Sequence, residues 1–468
     1  MFDTAVRVRA SSPAKLSRAL LRLVSLASFA ILMACSGGDE QAPPPASLPN
    51  TEQTQFAASD QYATAAKSLP QPSATVAPTL RSVPTAPVDG SPPRAPQSTA
   101  TKLALSDGLG YGPLAPTILR RTMVGGLVAP TDLVFASDGT MFFTERGRGL
   151  FAMRSGAEAV PIFTPKDLAS AGSSGMLAVT LDPEFARNGF AYIFMRSTAT
   201  GAEDSRVVRV TINASSTQVA DRRDILVVPA PTTGGETPGS EPHAGGALRF
   251  GPDGYLYVGL GDERSTLASQ SDASLAGKVL RIDRNGQAAP GNTAPAGFDK
   301  RVFALGLRDP VALAFHPNTE AALVGQRYSA QPDDIALAKP GANGGWAPQC
   351  ATPKAGYCEH AADQARSAPA SGLVASWRGG KASEGLTAIE RLRDPMWGDW
   401  RNAFVVAFDR AQRLDLVKFD AEGRTLLATP ALEKLGVGFK AVAQGPDGLY
   451  VVTSGKRGGE EIWRLSPQ

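Results

Sequence analysis

The fold is decided by a strand–turn–strand unit whose clearest copy reads Ala247-Leu-Arg-Phe-Gly-Pro-Asp-Gly-Tyr-Leu-Tyr-Val258. Two apolar runs flank Asp253-Gly254, where the glycine supplies the positive φ that a tight hairpin turn requires. The unit returns around Asp138-Gly139 and around Asp447-Gly448. A recurring hairpin predicts an all-β domain.

Weaker copies of the unit lie at Val179 to Phe194, at Val311 to Val324 and at Trp400 to Phe408. Six units in about 355 residues have a period near that of propeller blades. No helical pattern alternates with the strands, which counts against an α/β fold. We therefore predict a six-bladed β-propeller, with a pair of β-sandwiches as the alternative.

The first 34 residues have the pattern of a bacterial export signal. Five basic residues precede the apolar run Leu23 to Ala34, which is too short to span a membrane. The sequence Leu32-Met-Ala-Cys35 resembles a lipobox, which implies cleavage before Cys35 and its acylation, and Ser36 implies sorting to the outer membrane. We expect an exported protein that faces the periplasm and contacts the membrane only through its lipid anchor. An ordinary secretory signal is the alternative.

Composition sets the remaining organisation of the 468 residues. Residues 35–113 are rich in Pro, Ala and Ser, which predicts a disordered tether, and residues 114–468 form the head. Lys and Arg number 47 against 44 Asp and Glu, so no basic surface for nucleic acid is expected. We expect a monomer.

A series of motifs follows the chain from Leu114 to Pro467. The most specific is His243-Ala-Gly-Gly-Ala-Leu-Arg-Phe-Gly-Pro-Asp-Gly-Tyr, continuing to Gly261-Asp262. The others are Gly126-Leu-Val-Ala-Pro-Thr-Asp-Leu-Val-Phe135, Leu181-Asp-Pro-Glu-Phe185, Leu275-Ala-Gly-Lys-Val-Leu-Arg-Ile282, Leu305-Gly-Leu-Arg-Asp-Pro310 and Pro340-Gly-Ala-Asn-Gly-Gly-Trp346. In this order they resemble the glucose/sorbosone dehydrogenase family, whose soluble members are aldose dehydrogenases dependent on pyrroloquinoline quinone (PQQ).

The resemblance implies oxidation of an aldose-type sugar hydroxyl to a lactone, with electrons passed to a quinone, dye or cytochrome rather than to NAD. His243 matches the family's base, and an imidazole titrates in the required range. Arg308 matches the arginine that polarises the quinone oxygens. The alternatives are a His243 that only satisfies a core hydrogen bond and an Arg308 that pairs with Asp309.

The resemblance also implies groups that hold the cofactor. Arg410 and Lys440 align with the basic residues that bind its carboxylates, and Thr453 keeps a hydroxyl near it, whereas Gly438 and Ser173 replace an arginine and a glutamine. Each of these residues alone is more often a solvated side chain.

The resemblance further implies a Ca²⁺ that supplies part of the positive charge that polarises the cofactor, and the segment that would bind it departs most from the family. The segment Gln326-Arg-Tyr-Ser329 stands where the family has Glu-His-Gly-Pro, so the Gly-Pro ligand pair is missing. Asp333 and Asp334 remain as candidate Ca²⁺ ligands, although adjacent acids in a loop are usually solvated.

Two cysteines lie eight residues apart, at Cys350 and Cys358. In an exported protein this spacing favours a local disulfide. His360 lies nearby, but no further cysteine or histidine completes a zinc site, so we reject zinc.

The sequence gives less support to other functions. No dinucleotide, Walker or α/β-hydrolase motif occurs. Two alternatives to the dehydrogenase remain: a non-catalytic envelope propeller that binds a glycan or protein, and a calcium-dependent, lactonase-like hydrolase.

Overall fold

The computed structural model describes residues 115–468 except 231–242, 266, 330, 348–370, 381, 434 and 456–457. The expected signal peptide with Cys35, the tether, and the Cys350–Cys358 pair lie outside the described residues, so the lipid anchor and the disulfide stay predictions. Within the described part, no helix is long and apolar enough to cross a membrane.

The described chain folds into six consecutive four-stranded antiparallel units, or blades. The first three blades contain β2 (Pro130–Phe135), β3 (Met141–Glu145), β4 (Gly149–Met153) and β5 (Val160–Phe163); β6 (Met176–Leu181), β7 (Phe190–Ser197), β8 (Asp204–Ile212) and β9 (Val219–Pro229); and β10 (Gly245–Phe250), β11 (Leu256–Leu260), β12 (Lys278–Ile282) and β13 (Val302–Leu305).

The fourth to sixth blades contain β14 (Pro310–Phe315), β15 (Ala322–Gln326), β16 (Asp334–Asn343) and β17 (Ser371–Arg378); β18 (Leu386–Arg391), β19 (Phe404–Phe408), β20 (Arg413–Phe419) and β21 (Thr425–Leu432); and β22 (Gly438–Gly445), β23 (Gly448–Ser454), β24 (Glu460–Pro467) and, as the fourth strand, β1 (Ile118–Leu127). Helix is limited to α1 (Phe185–Asn188) and the 3₁₀ turns Ala268–Gln270 and Pro395–Trp400 among the described residues.

The ring closes through the first described strand. β1 pairs with β24 from Ile118–Pro467 to Leu127–Glu460, so the beginning and the end of the domain share one blade. The innermost strand of each blade packs against those of its neighbours, and β2 contacts both β6 and β22. The predicted six-bladed β-propeller is therefore confirmed. A short parallel pairing, Ala304–Ala342 and Leu305–Asn343, also joins the third and fourth blades.

Apolar side chains fill the spaces between blades. Tyr192 and Phe194 of the second blade, for example, pack with Leu248 and Val258 of the third, all of them fully buried. Each such side chain contributes about 1.5–3 kcal/mol by leaving water. A cluster of this kind lies between every two neighbouring blades, so each blade is packed on both faces.

The alternation of strand direction places the connections on two faces. The Asp-Gly turns between first and second strands, at Asp138-Gly139, Asp253-Gly254 and Asp447-Gly448, share one face, which we call the hairpin face. The connections between second and third strands, and those between blades, share the opposite face, which we call the site face. His243, Arg308 and Asp333 all lie in site-face connections.

Candidate functional site

A cavity lies along the propeller axis, and each of the six innermost strands contributes to its wall. Representative lining residues are Thr131, Leu177, Ala247, Val311, Thr387 and Lys440. Its wall at β10 is formed by Gly245 and Gly246, where backbone replaces side chain; a Cβ on Gly246 would approach the Leu177 side chain to 3.2 Å. Toward the hairpin face, Arg249 and Asp132 form a double ion pair across the channel at 2.8 and 2.9 Å.

His243 stands at the site-face end of β10, immediately before the lining residues Ala244 and Gly245. Its buried ring contacts the Asp262 carboxylate through Nδ1 at 2.8 Å and the Arg308 guanidinium through Nε2 at 2.8 Å. An ionised carboxylate only accepts hydrogen bonds and a guanidinium only donates them. The neutral tautomer with the proton on Nδ1 satisfies both contacts and leaves the Nε2 lone pair toward Arg308.

Arg308 is nearly fully buried and is held from several sides. It donates to the carbonyl oxygen of Arg327 at 2.7 Å and to the Ser329 hydroxyl at 2.6 Å, in addition to His243. The alternative pairing with Asp309 is not what the structure shows. The Asp309 carboxylate instead accepts from the Gly245 amide at 2.9 Å and from the Arg327 guanidinium at 2.9 Å.

Asp262 belongs to this site although the sequence did not predict a role for it. It is completely buried, and its second carboxylate oxygen accepts from the Trp346 indole N–H at 2.8 Å. The Trp346 indole and the Arg264 amide, which donates at 2.9 Å, fix the carboxylate, and the carboxylate in turn fixes the His243 ring. We call His243, Asp262 and Arg308 the His243 cluster. Gly261-Asp262 belongs to the motif that begins at His243, but nothing local indicated that the two side chains meet.

Three basic side chains among the described residues line the cavity toward the site face. Arg146, Arg327 and Lys440 come from the first, fourth and sixth blades, and we call them the cationic rim. Lys440 pairs with Asp409, which also accepts from the Ser454 hydroxyl. Burial lowers the pKa of Lys440, Arg327 and Arg146 act in the same direction, and Asp409 opposes them. An anionic ligand at this rim is therefore electrostatically favoured.

The other predicted cofactor residues are placed differently. Arg410 is exposed on the turn between β19 and β20 and is not among the residues that line the cavity. The Thr453 hydroxyl is committed to the Glu461 backbone, accepting at 2.8 Å and donating at 3.2 Å. Of the family's replaced positions, Ser173 lines the cavity with a buried hydroxyl that makes no hydrogen bond, and a Cβ on Gly438 would collide with Asp409 at 2.2 Å.

Asp333 and Asp334, the candidate calcium ligands, are buried rather than solvated. The Asp333 carboxylate accepts four hydrogen bonds, from the amides of Tyr328, Glu384 and Leu386 and from the Ser383 hydroxyl, at 2.8–3.0 Å. Asp334 accepts from Gln326 at 3.1 Å and from the Tyr328 hydroxyl at 3.3 Å.

These oxygens already serve protein donors, and the described residues hold no group of three or more His, Cys, Asp or Glu side chains placed to bind a metal. The donor set does not fit Ca²⁺, which takes six to eight oxygen ligands.

The comparisons with known proteins identify the family. The sequence profile described as "Glucose / Sorbosone dehydrogenase" matches residues 127–464, which is most of the propeller. The chain belongs to the glucose/sorbosone dehydrogenase family. The family and the class of enzyme that the motifs predict, a sugar oxidoreductase, are thereby confirmed.

Relatives within this family are distant in sequence. Aldose sugar dehydrogenase YliI of Escherichia coli is 25% identical over 350 residues, which cover 72% of this chain and 90% of that protein. The apo form of the soluble aldose sugar dehydrogenase of E. coli superposes with a TM-score of 0.64 at 21% identity, covering 75% of this chain and all of the other. The PQQ-bound aldose sugar dehydrogenase of Streptomyces coelicolor superposes with a TM-score of 0.57 at 22% identity, covering 76% of this chain and all of the other.

Proposed function

We propose that the protein is a PQQ-dependent dehydrogenase that oxidises an aldose-type sugar hydroxyl to a lactone and passes the electrons to a quinone or cytochrome rather than to NAD. The observation that carries the proposal is the His243 cluster at the channel end. A histidine with a fixed tautomer, an arginine at its reactive nitrogen and a cationic cavity beside it match what alcohol oxidation by a quinone requires.

The charged groups that line the channel suit PQQ. The cofactor is flat and carries three carboxylates, and the cavity offers the backbone of Gly245 and Gly246 beside a rim of three cations. The buried, unpaired Ser173 hydroxyl offers a further donor inside the cavity. Arg146, Arg327 and Lys440 would hold the carboxylates, and Arg308 would face the quinone oxygens.

When bound, PQQ supplies an electrophilic quinone that accepts the hydride from the sugar carbon. The chain's own residues handle the proton. The sugar hydroxyl takes the place of Arg308 as the donor to His243 Nε2, and the imidazole then accepts the hydroxyl proton there. Asp262 stabilises the imidazolium that forms, because its carboxylate already receives the Nδ1 hydrogen.

Arg308 leaves Nε2 without losing its place. Its bonds to the Arg327 carbonyl and the Ser329 hydroxyl remain and keep the guanidinium in position, so the released N–H becomes available to an anionic oxygen. The arrangement thus places a proton acceptor and a fixed positive charge side by side.

The test uses the full chain in detergent with PQQ, an aldose panel and a redox dye. We expect tight PQQ binding and aldose-dependent dye reduction. Absence of both would reject the dehydrogenase and favour the non-catalytic propeller, for which binding to a glycan array would then be measured. The specific observation behind that alternative is that Arg308 occupies His243 Nε2 and that the calcium segment is lost.

We also propose that the first 34 residues export the chain and that a lipid on Cys35 anchors the head at the outer membrane. The lipobox-like Leu32-Met-Ala-Cys35 and the tether up to residue 113 support this proposal. Metabolic labelling with a radioactive fatty acid is expected to mark the wild-type chain and not Cys35→Ala. Equal labelling of both chains would contradict the anchor.

A further inference from the structure

We infer that Arg327 supplies the fixed positive charge that the family resemblance assigns to Ca²⁺, so that PQQ binding by this chain does not require calcium. The inference rests on the proposed function. It starts from the segment Gln326 to Ser329. This segment stands where the family's calcium segment lies, but here it contacts Arg308.

The backbone of this segment is already occupied by a cation. The Arg327 carbonyl oxygen accepts the Arg308 guanidinium at 2.7 Å, and the neighbouring Ser329 hydroxyl accepts it at 2.6 Å. A divalent ion at the same oxygen would lie close to the guanidinium, and the repulsion between the two positive charges disfavours its binding there. The same segment therefore holds Arg308 in place of a metal.

The acids that follow the segment are committed as well. Asp333 is completely buried and uses both carboxylate oxygens for four hydrogen bonds that tie β15's end to the connection before β18. Turning either oxygen toward a metal would leave buried amide hydrogens unpaired, which costs about 1–3 kcal/mol for each. Asp333 thus acts as a structural anchor for the Arg327 segment.

The Arg327 side chain lines the cavity where a counter-charge is needed. It pairs with Asp309 through two N–H groups at 2.9 and 3.1 Å, and Asp309 is itself pinned by the Gly245 amide. The aspartate holds the guanidinium beside Gly245 at the channel wall, and the same cavity is lined by Arg146 and by Lys440, which pairs with Asp409. The Asp309 carboxylate thus bonds both the Arg327 guanidinium and the channel wall.

The experiment titrates the full chain, in detergent, with PQQ and follows quenching of tryptophan fluorescence, to which Trp346 beside Arg308 contributes. One buffer contains EDTA and the other millimolar Ca²⁺. We expect the two dissociation constants to agree within about twofold, and calcium alone to leave the melting temperature unchanged. PQQ binding at least tenfold tighter with calcium, or a melting temperature raised by calcium alone, would overturn the inference.

Variants distinguish the loss of the Arg327 charge from a loss of folding. Arg327→Gln is expected to weaken PQQ binding about 10- to 100-fold in EDTA, the loss of one charge-assisted contact, and Arg327→Lys is expected to lie between. Arg187→Gln is the matched control, because that arginine is 80% exposed on the hairpin face. If Arg327→Gln is unstable, Arg327→Gln with Asp309→Asn removes the pair together.

Each result decides between the claims. Wild-type affinity in Arg327→Gln, or affinity restored to this variant by Ca²⁺, would overturn the role of Arg327 while leaving the dehydrogenase intact. Absence of PQQ binding by the wild-type chain in both buffers would instead overturn the proposed function, and with it this inference.

Discussion

The His243 cluster and the cationic rim stand on the same face of the propeller and are built in opposite ways. In the cluster, His243, Asp262 and Arg308 bond to one another and to Trp346, away from solvent. In the rim, the cations belong to different blades, Arg327 and Lys440 each hold a carboxylate of their own, and all face the cavity. The cluster is preorganised for proton transfer, whereas the rim provides positive charge for binding an anionic ligand.

The comparison predicts that the cluster controls turnover and the rim controls cofactor affinity. His243→Ala is expected to lower kcat by about 10³-fold or more, since general base catalysis contributes 10²–10⁴-fold. Its dissociation constant for PQQ is expected to stay within a few-fold of wild type. Steady-state dye reduction and fluorescence titration measure the two quantities. A large loss of PQQ affinity with unchanged kcat would reverse the roles of the two regions.

Asp262→Asn tests whether the cluster acts as a unit. An asparagine can present an N–H to Nδ1, which favours the tautomer with its proton on Nε2 and removes the lone pair that accepts the hydroxyl proton. We expect kcat to fall by about 10²-fold or more with PQQ affinity retained. Trp346→Phe, which removes one donor to Asp262 and keeps the ring, serves as a milder comparison. Wild-type kcat in Asp262→Asn would show that the carboxylate does not set the tautomer.

Lys440→Gln tests the rim against an exposed cation. We expect PQQ affinity to fall about tenfold or more and kcat at saturating PQQ to change little, because the lysine supplies charge rather than proton transfer. Arg410→Gln is the companion variant. The structure places Arg410 outside the cavity lining, so a smaller loss than in Lys440→Gln is expected. An equal or larger loss of PQQ affinity in Arg410→Gln would show that Arg410 does bind a cofactor carboxylate.

Asp333→Asn addresses stability rather than either function. The amide cannot accept all four hydrogen bonds that the carboxylate accepts, so unfolding free energy is expected to fall by about 1–3 kcal/mol. The ratio of PQQ affinities with and without calcium is expected to remain that of the wild type. Chemical denaturation and paired titrations measure these. A calcium dependence that disappears only in this variant would identify Asp333 as a metal ligand.

Glu263→Gln gives the smallest effect, on the pH dependence of stability. Burial raises the pKa of Glu263 to about 7 from an ordinary value of 4.5, against the opposing Arg196 and Ser205 contacts. Between these values the folded protein keeps a proton that the unfolded chain has released, so this group's contribution is full below about pH 4.5 and is lost as pH rises to about 7. Melting temperatures from pH 4 to 8 are expected to decline less in Glu263→Gln. Parallel curves would contradict the shift.

Local signals in the sequence were sufficient for the fold. Each Asp-Gly turn and its two flanking apolar strands are encoded in about a dozen consecutive residues. In the structure these strands are the inner two of the first, third and sixth blades, and the turns lie at the hairpin face. The site face has no such local signature. Its side chains come from connections whose conformation is set by tertiary contacts.

The site was therefore predicted only where a motif carried it. His243 and Arg308 were assigned through the family resemblance, although 65 residues separate them. Arg146 and Arg327 were missed as rim residues because neither matches a family ligand and each reaches the axis from a different blade. Asp333 had been expected as either a ligand or a solvated acid. The backbone amides that donate hydrogen bonds to its carboxylate could not be predicted from a single sequence.

The most direct test is a crystal structure of the chain grown with PQQ and Ca²⁺. We predict PQQ in the axial channel against Gly245 and Gly246, its carboxylates contacting Arg146, Arg327 and Lys440, and Arg308 and His243 at the quinone end. Electron density for PQQ outside the channel, or a calcium ion between the Arg327 segment and the quinone, would contradict this account.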